Sequence, residues 1–184
     1  MNFLINYHLL INRLLKTSSP IYIDDEYSSE VVAVYPLPPA TANTISITKG
    51  DLKRLLPIQY LNDNLIDYYM RTLEEKFTTH DTSSLDFTCF TSHFYTKMIE
   101  FGSRSNPDVT LGYQQVSKWT SNMDIFSKHA ILVPINIQLH WSLAIICNPM
   151  GFATEGSDFP TAIVLLDSLG AYHKKSTIFN VLRR

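Results

Sequence analysis

The spacing of apolar positions changes character along the chain. Residues 31–35, Val-Val-Ala-Val-Tyr, form a short β-prone run closed by Pro36, Pro38 and Pro39. From Thr48 the period becomes helical. Thr48 followed three residues later by Asp51 has the form of a capping box, and Leu52, Leu55 and Leu56 predict a short helix ended by Pro57. A second helix is predicted from Asn62 or Asp63, either of which can cap it, with Leu65, Ile66, Tyr69, Met70, Leu73 and Phe77 on one face. Phe94, Met98 and Phe101 give a helical pattern within 87–101, residues 102–112 read as a loop, and Val116 and Trp119 mark another short helix over 113–121. Then come three β-rich runs: His129–Ile137, Trp141–Cys147 and Thr161–Leu166. Two of them are almost unbroken apolar sequence, which predicts strands buried on both faces. A Gly- and Pro-containing insertion, 148–160, separates the last two. A turn at Gly170 leads to a final helix over 177–184, with Ser176 as candidate cap. Helices first and strands clustered after them predict an α+β fold.

Composition narrows the function classes. The 184 residues make one domain's worth of chain, 45% hydrophobic and 17% charged, with a formal net charge of -2. Lys174-Lys175 and Arg183-Arg184 are isolated pairs, so a nucleic-acid-coating role, which needs clustered cations, is not expected. Cys89 and Cys147 are too few for a disulfide framework and lack metal-ligand spacing; a reducing compartment suits them, and no metal or cofactor is expected. Residues 1–30 read as an N-terminal extension ahead of a domain over 31–184. Its apolar first sixteen residues carry Arg13 and Lys16 and no acid. They fit an amphipathic helix, a targeting segment without a secretory cleavage pattern, or sequence foreign to the domain. They are too short and too interrupted to span a bilayer, so no membrane is expected as partner.

Candidate chemistry begins with His140 and Asp167. His140 stands before an apolar strand and beside Trp141; alone it reads equally as a solvated strand-end histidine. Asp167 directly follows an apolar strand, where a carboxylate is often only a turn former. Strand ends are also where rigid backbone mounts active-site groups, and two adjacent strands could bring this pair into contact. The aspartate would then hold one imidazole tautomer and stabilise the imidazolium.

The ordered set is more specific than either residue. Tyr60-Leu61-Asn62-Asp63, Lys118-Trp119-Thr120, Asp124-Ile125-Phe126, Val133-Pro134-Ile135-Asn136, His140-Trp141-Ser142-Leu143-Ala144-Ile145-Ile146 and Leu166-Asp167-Ser168-Leu169 follow one another along the chain. The series resembles the Ulp/SENP family of SUMO-specific cysteine proteases, most closely the branch that trims poly-SUMO chains, over roughly residues 31–184. The resemblance implies a papain-like core. It also implies a hydrolase that cleaves after the C-terminal Gly-Gly of SUMO or another ubiquitin-like modifier, in nucleus or cytoplasm with the nucleus favoured. His140 is then the general base and Asp167 its orienter. Trp141 and Tyr60 are the aromatic walls of a tail channel that only glycines can thread, and Asp63 meets a basic residue on the modifier. Helix capping competes for Asp63.

The pattern also requires a glutamine and a cysteine beyond the aspartate, and none of the seventeen residues after Asp167 is either. Cys147 lies at an odd offset from His140, hence on the opposite face of a shared strand, and Cys89 in Phe87-Thr88-Cys89-Phe90 reads as a buried thiol. The expectation is a C-terminally incomplete protease domain with a partly exposed apolar face. The alternative is a non-catalytic module that binds a ubiquitin-like modifier. NEDD8 or ubiquitin in place of SUMO stays open.

Overall fold

A computed structural model of the chain describes residues 29–36, 44–79, 85–103, 106–152, 160–170 and 172–183. The apolar first sixteen residues and most of the polar stretch after them lie outside these, as does 153–159 of the insertion. The chain falls into two compact units, 1–72 and 73–184.

In the first unit, β1 (Val31–Tyr35) pairs antiparallel with β2 (Ile45–Thr48). Helix α1 (Lys49–Lys53) follows β2 without a loop because Thr48 and Asp51 form the predicted capping box: the Thr48 hydroxyl accepts from the Asp51 N–H, and the Asp51 carboxylate accepts from the Thr48 N–H at 2.7 Å. Asp51 is buried and also accepts from the side-chain amides of Asn62 and Asn64. Of the two candidate caps for α2 (Asp63–Thr79), Asn62 performs the task, its Oδ1 accepting from the Leu65 N–H at 3.2 Å. Ile47, Leu52, Leu55, Leu65 and Tyr68 form this unit's core, with Tyr35 edge-on to Tyr68.

In the second unit, four strands are ordered β3-β6-β7-β8: Phe87–Cys89, Ala130–Ile137, His140–Cys147 and Ala162–Asp167. β3 runs parallel to β6, and the β6–β7 and β7–β8 pairs are antiparallel. The three long strands were legible from their apolar runs. β3 was not; Phe87–Cys89 belongs to the sheet, and only α3 (His93–Met98) of the 87–101 pattern is helical. Within the predicted loop 102–112, β4 (Gly102–Ser103) and β5 (Asn106–Pro107) form a minimal hairpin, and Asp108 caps α4 (Val109–Val116). That helix therefore starts four residues earlier than its pattern suggested and ends before Trp119. The last helix, α5 (Lys175–Leu182), has Lys174 as its N-cap with no side-chain cap bond, so Ser176 lies inside it.

Helices α3, α4 and α5 pack on one face of this sheet, where Ile131, Val133 and Ile135 of β6 and Ala144 and Ile146 of β7 meet Tyr95, Met98, Val116, Ile178 and Val181. The strands alternate more than two-sided burial predicts: β7 buries Ser142, Ala144 and Ile146, and β8 exposes Ala162 and Val164. β8 ends the sheet among the described strands, which accounts for its open positions. Between the helices and the sheet opens a groove of about 390 Å³ whose lining includes Phe90, Phe94, Val116, Phe126, Phe152 and Leu182. β6 and β7 are joined by two residues alone, Gln138 and Leu139, at φ 55° and 62°. These are the left-handed angles a tight hairpin turn demands, here on residues with a Cβ.

Candidate active site

His140 is the first residue of β7 and Asp167 the last of β8, so the antiparallel pairing puts both at one end of the sheet. Asp167 lies opposite Ser142, and side-chain alternation carries His140, Ser142 and Asp167 to one face, with Trp141 on the other. The imidazole Nε2 of His140 is 2.7 Å from Oδ1 of Asp167. The histidine side chain is 14% exposed and the carboxylate 1%.

Three donor contacts hold the carboxylate. Burial pushes the Asp167 carboxyl up, but the His173 N–H on Oδ2 (3.1 Å), the His140 ring on Oδ1, the Leu169 N–H on Oδ1 (3.0 Å) and the charge of His140 together bring it down to about 2. At neutral pH the group is ionised and only accepts, so Nε2 of His140 must carry the hydrogen between them. A neutral His140 then has its lone pair at Nδ1, on the side of the ring away from the aspartate. This is the protonation pattern of a general base held by an orienter.

Around the pair lies a shell that sequence reasoning missed. Tyr172 stands edge-on to His140 with ring centres 4.9 Å apart, and the His173 ring lies 5.0 Å from it. His173 is buried, its Nδ1 2.9 Å from the Ser142 hydroxyl and its Nε2 3.1 Å from the Ile137 carbonyl. In sequence it sits in Tyr172-His173-Lys174-Lys175, which reads as a solvated stretch; the one available signal was its closeness to Asp167.

Trp141, half-buried, follows His140 on β7. Tyr60 and Asp63 belong to the first unit: Tyr60 is 61% exposed before α2, and Asp63 opens that helix, adding an acidic group to its first turn. The capping role that competed for Asp63 belongs to Asn62.

Neither cysteine reaches His140. Cys147 ends the same strand seven residues on, roughly 23 Å away at the usual strand rise. Cys89 pairs with Leu132, which faces Ile145, five residues from His140 along β7. Among the described residues, no group of three or more His, Cys, Asp or Glu side chains could hold a metal ion, and no helix is long and apolar enough to cross a membrane.

Residues 59–184 match the Ulp1 protease family, C-terminal catalytic domain. Ubiquitin-like-specific protease 2 of Schizosaccharomyces pombe is 40% identical over 122 residues, covering 66% of this chain and 18% of the relative. Sentrin-specific protease 6 of Mus musculus is 41% identical over 127 residues, 65% of this chain and 11% of the relative. A solved structure described as that of the de-sumoylating protease superposes with a TM-score of 0.62 at 29% identity, covering 81% of this chain and 54% of that one. The chain thus spans less than a fifth of these two full-length relatives.

Proposed function

The chain belongs to the Ulp1 protease family, and from that footing we propose that it forms the base-bearing part of a cysteine peptidase that removes SUMO by cleaving after its C-terminal Gly-Gly. The observation that carries the proposal is the 2.7 Å contact between His140 Nε2 and Asp167 Oδ1 at the shared end of β7 and β8. His140 is the general base and Asp167 its orienter. Nδ1 takes the proton of a cysteine thiol, and the thiolate attacks the glycine carbonyl carbon. The imidazolium then returns the proton to the departing amine, leaving a thioester. Water, deprotonated by the same nitrogen, hydrolyses that thioester and frees the modifier's carboxylate. Trp141 supplies a flat face to the glycine tail; in the first unit, the resemblance assigns Tyr60 an aromatic contact with that tail and Asp63 a contact with a basic group of the modifier.

The thiolate is not Cys89 or Cys147, which the sheet holds far from His140. The 184 residues alone are accordingly a binding and base-positioning unit, and that distance also favours the second reading, a modifier-binding module without cleavage. The nucleus, ahead of the cytoplasm, is the proposed location, in keeping with the family; a fluorescent fusion imaged in cells tests it.

The test is cleavage of a fluorogenic SUMO conjugate by the full-length protein. His140→Ala is expected to lower kcat by about 1,000-fold or more, and Asp167→Asn by about 100-fold or more with little change in KM. Full activity in the His140→Ala variant sinks the proposal. Binding of SUMO by the full-length protein without cleavage selects the second reading.

A further inference from the structure

His173 is 3% exposed and bonded through both ring nitrogens, yet the chemistry assigned to the site gives it no part. We propose that His173 is a positioning residue: its ring, clamped between β6 and β7, holds its own backbone N–H on Oδ2 of Asp167 and thereby fixes the carboxylate that orients His140. The inference rests on His140 and Asp167 acting as base and orienter.

The clamp has a defined protonation. The Ile137 carbonyl can only accept, so Nε2 carries a proton toward it at 3.1 Å. In the neutral ring Nδ1 is then an acceptor for the Ser142 hydroxyl at 2.9 Å.

The two carboxylate oxygens have separate tasks. Oδ2 is held by the His173 N–H at 3.1 Å, while Oδ1 faces His140 at 2.7 Å and the Leu169 N–H at 3.0 Å. Partial rotation of the carboxylate about its Cβ–Cγ bond would break these contacts; donors on opposite oxygens resist it. Both backbone donors lie on the turn after β8. Ser168, Leu169, Gly170 and Tyr172 of that turn are exposed, whereas the His173 ring is buried and bonded to both β6 and β7. Ser142 and Ile137, on strands that precede Asp167 in the chain, thus act on the base through the ring.

Nitrogen-15 NMR of the imidazoles in the 184-residue chain tests this. The unsubstituted chain is expected to show His140 protonated at Nε2 alone; if it does not, the base–orienter reading fails whatever His173 does. In His173→Leu the His140 nitrogens are expected to move toward averaged shifts, with amide exchange at Leu169 and His173's position about tenfold faster or more. His173→Gln, whose amide can still donate to Ile137, is expected to restore exchange to within about threefold of the original. Ser142→Ala leaves the ring in place and removes its donor, and is expected to shift the His140 signature in the same sense by a smaller amount. The tautomer signature is the decisive reading, since a role confined to stability would leave it in place. A folded His173→Leu chain with an unchanged His140 signature overturns the proposal. Should His173→Leu not fold, an unchanged signature in Ser142→Ala overturns it instead.

Discussion

Burial by itself would keep Asp167 protonated to a higher pH than a solvated aspartate. The His173 N–H, the His140 ring and the Leu169 N–H reverse that and bring its carboxyl to about 2. Its ordinary value is 3.8, so the folded state binds this proton more weakly than the unfolded chain does. The stabilisation is therefore complete above about pH 4 and is lost as pH falls through about 2. Asp167→Asn is expected to flatten this limb, a change measured by urea midpoints of both proteins between pH 2 and 5. An acid limb as steep in the variant would assign it to other carboxylates. Sequence reasoning reached His140 and Asp167 because each stands at the edge of an apolar run inside an ordered motif series. It did not reach His173, whose partners Ser142 and Ile137 lie 31 and 36 residues away and leave no local trace.

Elements announced themselves where their own residues determined them. The Thr48–Asp51 capping box and the long strands β6 and β7 stand as read, because capping chemistry and apolar length are local. β3 was hidden: three residues are too few for a period, and they are extended because β6, more than forty positions on, pairs with them. Gly112 misled in the same way. A glycine in a polar stretch reads as loop, yet it lies inside α4, where a Cβ would run into the main chain of Met98. Gly112→Ala tests this directly. In an open helix the exchange gains up to about 1 kcal/mol, whereas overpacking here costs about 1–3 kcal/mol. Net destabilisation by urea titration is expected; a stabilised variant would mean α3 and α4 can part without cost.

For the molecule as a whole, the second unit carries an open apolar groove alongside the sheet that bears His140 and Asp167. Trp119, Met123, Phe126, Met150 and Phe152 remain substantially exposed in that unit, and Phe126 and Phe152 line the groove. The 184-residue chain is therefore expected to enhance the fluorescence of an apolar-surface dye while its near-ultraviolet dichroism shows fixed aromatic packing. A silent dye and a monodisperse monomer would count against an open groove. Engineering meets a different restriction at the Gln138-Leu139 turn. With Leu139 so open to solvent, it resembles a convenient place for a tag, a linker or a library insertion. Yet a longer loop there calls for another turn type or a bulge, and a slip of β7 by one residue against β6 would exchange the outlooks of His140 and Trp141. The two-residue connection thus sets which β7 side chain meets Asp167: any replacement turn has to return the chain in the same register to keep the His140–Asp167 contact.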